Sequence, residues 1–93
     1  MEQEIKERLR QVIRENFKDK IVEAAGILDE DLINQDDFQF IDLGFDSILM
    51  MMLFTVVEEE FNIVFEDEDL AFDFERFDNL VEFISSKMEK NWR

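Results

Sequence analysis

The sequence has no cysteine, no histidine and no proline among its 93 residues, and its only glycines are Gly26 and Gly44. Without cysteine and histidine, the chain has no disulfide, no zinc site of the usual ligands, and no thiol or imidazole for catalysis. Carboxylates are the acid and base groups that remain, and nothing in the sequence singles one of them out. We therefore predict that the chain is not an enzyme.

Basic residues are absent between Lys20 and Arg76, a window that holds 17 of the 25 acidic residues. The whole chain has a net charge of −15. A field of this sign repels phosphate backbones and anionic lipid headgroups, and it attracts basic protein surfaces. We therefore expect protein partners with basic surfaces, with no nucleic acid bound and no insertion into a membrane.

Long apolar runs are also missing. The longest mostly apolar stretch, from Ile48 to Val57, is far shorter than the roughly 20 residues that cross a bilayer, and the N-terminus has no secretion signal. Hydrophobic residues nevertheless make up 46% of the chain, and 11 of them are phenylalanine, which is enough for one core. We predict a cytoplasmic, monomeric protein with a single domain, residues 1–93.

Periodic apolar residues predict three main helices. Spacings of three and four residues from Glu4 to Phe17 indicate a first amphipathic helix. Strong helix formers without a breaker predict a second helix from Ser47 to Phe61. A short helical turn is predicted at residues 66–70. The spacing of the apolar residues from Phe77 to Met88 predicts a last helix. The fold class is therefore all-α, a small four-helix bundle of three main helices and a short third helix, with a long loop at residues 18–46.

The predicted second helix has two apolar faces. One face is predicted to pack on the core and consists of Met50, Leu53, Phe54, Val57 and Phe61. The other face, which we name the docking stripe, is predicted to face water and consists of Ile48, Met51, Met52, Thr55, Glu58 and Glu59. Methionines adapt to more than one partner surface, so exposed ones indicate a site of protein recognition. The alternative is that the long loop folds over this stripe and buries it.

The acidic residues between Asp67 and Asp78 only partly match a calcium-binding loop. Such a loop needs glycine at its sixth position and glutamate at its twelfth, and this sequence has Phe72 and Asp78 there. Clustered acids are usually a solvated surface. No metal site is therefore predicted.

Ser47 stands out by its position. It follows Leu43-Gly44-Phe45-Asp46 at the junction of a loop and a helix, where unpaired backbone N–H groups and the helix dipole favour an anion. A serine that carries a phosphodiester would suit this place, but a serine at a helix start is also an ordinary N-cap, as Asp46 could be. No histidine is present to activate Ser47 as a hydrolase nucleophile.

The segment FIDLGFDSI, residues 40–48, resembles the modification motif of the acyl carrier and peptidyl carrier protein family, usually Leu-Gly-x-Asp-Ser-Leu. The segment VEEEFNI, residues 57–63, resembles the family's Leu-Glu-Glu-Glu-Phe-Gly-Ile at the end of its second helix. Residues 67–70 fall where the family's short third helix begins, and residues 77–84 resemble its final helix. The resemblance thus covers nearly the whole chain and is most specific in residues 40–70.

This resemblance implies a four-helix carrier whose Ser47 hydroxyl receives 4′-phosphopantetheine from coenzyme A through a separate phosphopantetheinyl transferase. It implies that acyl or aminoacyl groups are carried as thioesters on this arm, and that the carrier itself catalyses nothing. Asp46 takes the place of the family's aspartate that helps to bind the magnesium ion of the transferase complex. Further partners would be loading and downstream biosynthetic enzymes with basic surfaces.

The sequence departs from fatty-acid carriers at Leu49 and Met52, where those carriers typically have acids, which implies a more apolar docking surface. We predict a stand-alone acyl carrier for fatty-acid-like, polyketide or other specialised biosynthesis. One alternative is a peptidyl or aminoacyl carrier of a nonribosomal peptide or cell-wall pathway. An alternative of another class is an acidic helical interaction module or nucleic-acid mimic, with Ser47 as a mere cap. The Gly-x-Asp-Ser spacing favours a carrier, because a mimic needs no such motif.

Overall fold

The computed structural model describes residues 1–71 and 74–91. In these two ranges the α-helices are α1 (Glu2–Ala25), α2 (Glu30–Ile33), α3 (Ser47–Phe61) and α4 (Phe77–Asn91). Two 3₁₀ turns, Phe40–Leu43 and Asp67–Ala71, lie before and after α3. Since α1 packs against both α3 and α4, the predicted all-α class and small helical bundle are confirmed.

Helix α1 is longer than the sequence predicted. The predicted helix ended at Phe17, whereas α1 continues to Ala25. Ile21 is fully buried and extends the apolar face of the helix by one more turn. The helix ends at Gly26, which adopts a left-handed conformation (φ 85°) and donates its N–H to the carbonyl of Val22 at 2.8 Å. The long connection to α3 therefore begins at Gly26 and not at residue 18.

Arg10 holds this connection to α1. Its side chain is buried, and its Nε donates to the carbonyl of Ile33 at 2.7 Å. Its Nη2 donates to the carbonyl of Gln35 at 3.0 Å and to Oδ1 of Asp36 at 2.7 Å. The last carbonyls of a helix have no partner within the helix, so Arg10 supplies donors where α2 ends.

Further ion pairs join α1 to the same connection. Lys6 Nζ lies 3.1 Å from Oδ2 of Asp36, whose other oxygen is bound by Arg10. The hydrogen bonds from Arg10 and Lys6 lower the pKa of Asp36 below its usual value. Arg14 pairs with Glu30 at 2.9 Å, at the first turn of α2. Cations of α1 thus neutralise acids that are distant in sequence.

The rest of the connection is anchored by apolar side chains. The residues that it buries in the core are Leu28, Ile33, Phe38, Phe40, Leu43 and Phe45. Ile27 and Ile41 belong to the same connection but are 67% and 70% exposed. The connection therefore packs on the core through buried side chains along its whole length and leaves Ile27 and Ile41 on the surface.

Backbone hydrogen bonds join the residues before α3 to those before α4. The N–H of Phe40 donates to the carbonyl of Glu75 at 2.8 Å, and the N–H of Phe77 donates to the carbonyl of Phe38 at 2.9 Å. The rings of Phe38 and Phe77 stack with their centroids 4.8 Å apart. The described ranges contain no strand beyond this isolated bridge. The pairing positions the 3₁₀ turn that leads into α3.

Within the described ranges, the helices include none with the length and apolarity to span a bilayer. The cytoplasmic location and the monomeric state stay predictions. So does the limit of the domain at residues 1–93.

Replacing Arg10 with methionine should lower the free energy of unfolding by about 2–4 kcal/mol, because the carbonyls of Ile33 and Gln35 lose a buried charged donor. Chemical denaturation at neutral pH measures this change. Lys18→Met is the matched control, since Lys18 is exposed on the same helix and has no ion pair among the described residues; it should stay within about 0.5 kcal/mol of the native protein. An Arg10→Met variant as stable as this control would contradict the anchoring role.

Candidate functional site

Helix α3 spans Ser47–Phe61, as the sequence predicted. Asp46 is its N-cap, and Oδ1 of this residue accepts a hydrogen bond from the N–H of Leu49 at 2.8 Å. Just before the cap, Gly44 adopts a left-handed conformation (φ 97°), and a Cβ at this position would lie 3.2 Å from the Cβ of Ala25. The chain thus needs glycine here for its backbone conformation and for the close approach of α1.

Ser47 is the first residue of α3 and is exposed. Because Asp46 supplies the cap, the alternative that Ser47 is a plain N-cap is wrong. The Ser47 hydroxyl has no hydrogen-bond partner among the described residues, and neither do the backbone N–H groups of Ser47 and Ile48. A free hydroxyl and free N–H donors therefore lie together at the positive end of a helix dipole, which suits a phosphodiester.

A groove of about 550 Å³ opens beside Ser47. The first 3₁₀ turn, α3 and the residues before α4 enclose it. Its apolar lining residues are Phe40, Ile41, Phe45, Met50, Met51, Phe54 and Phe74. Its polar lining residues are Gln39, Asp46, Ser47 and Glu75. Ser47 thus lies at the edge of a mainly apolar depression.

Four phenylalanines pack together behind this groove. The ring of Phe54 lies 5.0 Å from that of Phe65 and 5.4 Å from that of Phe74, measured between centroids. The ring of Phe83 in α4 stacks on that of Phe65, with the centroids 5.0 Å apart. It also contacts the ring of Phe74 edge-on, with the centroids 4.9 Å apart. Tilted and edge-on contacts of this kind stabilise aromatic clusters. Phe54, predicted as a core residue, is half-buried in this peripheral cluster.

The buried face of α3 differs from the predicted one at Leu49, which is buried, and at Met50 and Phe54, which are only half-buried. Leu53, Val57 and Phe61 are buried as predicted, and the fourth buried residue is Leu49. Met50 is instead half-buried and lines the groove. The departure at Leu49 therefore adds little apolar area to the docking surface, because only 9% of Leu49 is exposed.

Most of the docking stripe is open to solvent. Ile48, Met51 and Met52 are 68%, 70% and 40% exposed, respectively, and Thr55 and Glu59 are exposed as well. The alternative that the long loop buries this stripe is therefore wrong. The role of these side chains in recognition stays a prediction.

Glu58 differs from its neighbours in the docking stripe. It is half-buried, and its Oε2 accepts a hydrogen bond from the N–H of Phe65 at 2.8 Å. Between these two residues the chain reverses at Asn62, which is left-handed (φ 54°) and follows the last turn of α3. Glu58 therefore stabilises the turn after α3, a contact that helical periodicity alone could not reveal.

Sequence reasoning also missed Ile41 as a surface residue of the site. It lies in the 3₁₀ turn that precedes α3, lines the groove and is 70% exposed. A turn of four residues has no period from which exposure can be predicted. Its neighbours Phe40 and Leu43 are almost completely buried.

The acidic residues form no metal centre in the described part of the chain. Within residues 1–71 and 74–91, no group of three or more acids could hold a metal ion. Phe72, on which the rejection of a calcium loop partly rested, lies outside the described residues, as does Asp73.

Residues 7–84 match the model of a protein family described as "Phosphopantetheine attachment site". The matched range begins in the first turns of α1, ends in α4, and includes Ser47 and the groove beside it. Comparison with curated proteins finds no match, and comparison with solved structures finds none either.

Substitutions on the two faces of α3 should have different effects on stability. Leu53→Ala should cost about 2–5 kcal/mol, because Leu53 is completely buried. Met51→Ala and Met52→Glu should stay within about 0.5 kcal/mol of the native protein, because both side chains are exposed. Denaturation curves compare the three variants, and an equal loss in all of them would contradict the orientation of α3.

Proposed function

We propose, since this chain belongs to the phosphopantetheine attachment family, that Ser47 is the residue to which the arm is attached. The family's domain is the attachment site for covalently bound 4′-phosphopantetheine, so the chain is a phosphopantetheine-bearing carrier protein. When attached, this group supplies a thiol that carries an acyl or aminoacyl load as a thioester. The observation that carries the assignment is the exposed Ser47 hydroxyl, which has no hydrogen bond within the described ranges.

The other serines suit the arm less well. Ser85 and Ser86 are the only other serines in the sequence, and both lie in the second half of α4, where the helix dipole disfavours a phosphodiester. Ser85 is also buried. Ser47 combines exposure with the positive end of a helix, and this combination supports it as the attachment point.

Asp46 has two carboxylate oxygens for two roles. Oδ1 caps α3 through the N–H of Leu49. Oδ2 has no hydrogen-bond partner in the part of the chain that the structure describes, and the residue is exposed. We assign to this free oxygen the role that the family resemblance implies, which is to help bind the magnesium ion of the transferase complex.

Partner enzymes should dock on the exposed apolar side chains beside Ser47. Ile48, Met51 and Met52 present them on α3, and Thr55 and Glu59 continue the same surface. Because the chain has a net charge of −15, it attracts a partner surface that has an apolar centre and a basic rim. Glu58 contributes less to this surface, since its carboxylate is bound to the turn after α3.

The groove beside Ser47 offers an apolar place for part of the load. Its volume of about 550 Å³ and its phenylalanine and methionine lining would partly remove an acyl chain from water. Fatty-acid-like, polyketide and other specialised pathways use loads of this kind, and peptidyl or aminoacyl pathways of nonribosomal or cell-wall synthesis use related ones. The pathway and the stand-alone format stay predictions, as does the absence of catalysis by the carrier itself.

The alternative of an acidic interaction module or nucleic-acid mimic is less well supported. Such a protein has no need for a free serine hydroxyl next to a capping aspartate. It has no need for the family's sequence pattern over residues 7–84 either.

Attachment of the arm at Ser47 can be tested by intact-mass measurement. Incubation with coenzyme A and a broad-specificity transferase should add one arm to the native protein and none to Ser47→Ala. The matched control Ser86→Ala should accept the arm. Because Asp46 and not Ser47 caps α3, Ser47→Ala should melt close to the native protein, and an arm retained on this variant would disprove the assignment.

Two variants separate the roles of Asp46. Asp46→Asn keeps an oxygen that can accept from the N–H of Leu49 but loses the charge, so melting should change little while arm transfer at limiting magnesium falls by about tenfold or more. Asp46→Ala should lose the same activity and, in addition, about 1 kcal/mol of stability. Transfer to Asp46→Asn at the native rate would mean that Asp46 serves only as a cap.

Docking on α3 predicts a loss of loading without a loss of arm attachment. In the arm-bearing protein, Met51→Ala and Met52→Glu should lower kcat/KM of the cognate loading enzyme by about tenfold, as expected for central apolar contacts of an interface. The matched control is Val64→Ala, since Val64 is 64% exposed and lies beyond the end of α3. If the loading enzyme acts on both methionine variants with the native kcat/KM, it must recognise another surface of the carrier.

A further inference from the structure

A second groove, of about 410 Å³, lies between α1 and the first residues after it. It shares no lining residue with the groove beside Ser47. Val22 on α1 and Ile27 after the turn line it together with Leu28, which is buried. We name this depression the α1 groove.

Two apolar side chains of the α1 groove are exposed. Ile27 is 67% exposed and Val22 is 40% exposed. The left-handed turn at Gly26 is often accompanied by an apolar contact across the helix end. Such a contact stabilises the helix by removing the side chains from water, yet two thirds of Ile27 stays in water. Local helix capping therefore does not account for an isoleucine at this position.

The charged lining of the α1 groove is unusual for this acidic chain. Arg14 and Glu30 pair with each other at 2.9 Å. Lys18 also lines the groove and is exposed, and its ammonium group makes no ion pair or hydrogen bond within the described ranges. In a chain with a net charge of −15, this groove thus presents an unpaired cation beside two exposed apolar side chains.

We propose that the α1 groove docks an acidic, apolar segment of a partner protein. An apolar side chain of that segment would lie between Val22 and Ile27, and a neighbouring carboxylate would pair with Lys18. A basic segment would find no free carboxylate among the lining residues, because that of Glu30 is bound to Arg14. Acids of the chain that lie farther from the groove than the Debye length, about 8 Å at physiological ionic strength, are largely screened from this contact.

This surface is independent of the arm and of the proposed function, and it is tested on the full chain. The probe is a synthetic helical peptide of leucine, alanine and glutamate with one apolar face, and the matched probe has lysine in place of glutamate. In NMR titrations of the ¹⁵N-labelled protein, the glutamate peptide should cause saturable shifts of the amide signals of Lys18, Val22, Ile27 and Leu28. The lysine peptide should leave these signals unchanged.

Variants of the full chain identify the side chains that bind the glutamate peptide. Ile27→Ala and Lys18→Ala should each weaken binding of the glutamate peptide by about tenfold. The matched controls Val64→Ala and Lys20→Ala also change exposed side chains, but ones that do not line the α1 groove, and they should bind like the native protein. All four variants should melt like the native protein, so a change in affinity reports on contact.

Three results would overturn the proposal. The first is no saturable shift at the α1 groove with the glutamate peptide, or equal shifts with both peptides. The second is native affinity in both Ile27→Ala and Lys18→Ala. The third is the same set of shifts on concentrating the protein alone, which would make a second copy of the chain the occupant in place of a separate partner.

Discussion

The buried guanidinium of Arg10 is the interaction on which the placement of the site depends. A connection of about twenty residues has to cross the bundle with little regular structure, and a long irregular segment is costly to order. Arg10 binds carbonyls at the end of α2 and lies over the ring of Phe77, 4.7 Å from its centroid. One cation thereby ties α1, the connection and α4 together. From this anchor the chain continues to the 3₁₀ turn and to Gly44, where it meets the end of α1 and enters α3.

In the fold, several cations of the terminal helices form ion pairs with acids from the middle of the chain. Cations of α1 pair with acids of the connection and of α3, as Lys6 does with Asp36 and Arg8 with Glu60. In α4, Lys87 pairs with the buried carboxylate of Asp69 at 2.9 Å, and this hydrogen bond raises the pKa of Lys87. Exposed pairs contribute little stability individually. Their collective effect is positional, because they hold the two terminal helices against the acidic middle of the chain.

The features that follow from local chemistry were predictable from the sequence. The bounds of α3 follow from strong helix formers after a capping aspartate, and the Ser47 motif is a short continuous segment. The end of α1 was missed because the charged residues 18–20 interrupt the apolar pattern before Ile21 resumes it. The buried face of α3 was partly misjudged because Leu49 and Met50 are both apolar, and only packing against the other helices distinguishes them. Glu58 was assigned to a surface role because its hydrogen bond to Phe65 depends on a turn that lies outside the helix.

The backbone pairing between the residues before α3 and those before α4 has a consequence for how such chains diversify. It is made by main-chain groups of Phe40, Glu75, Phe38 and Phe77, so it does not require particular side chains in the groove that it encloses. Met50 and Phe54 project from α3 into the space that this frame leaves. Substitutions at these two positions could change the size of the space while Ser47, its cap and the frame remain as they are. On the proposed attachment at Ser47 and the proposed use of the groove, the load that the groove accepts can change separately from the attachment point. A related chain would then accept a new load through a few altered side chains in an unchanged backbone.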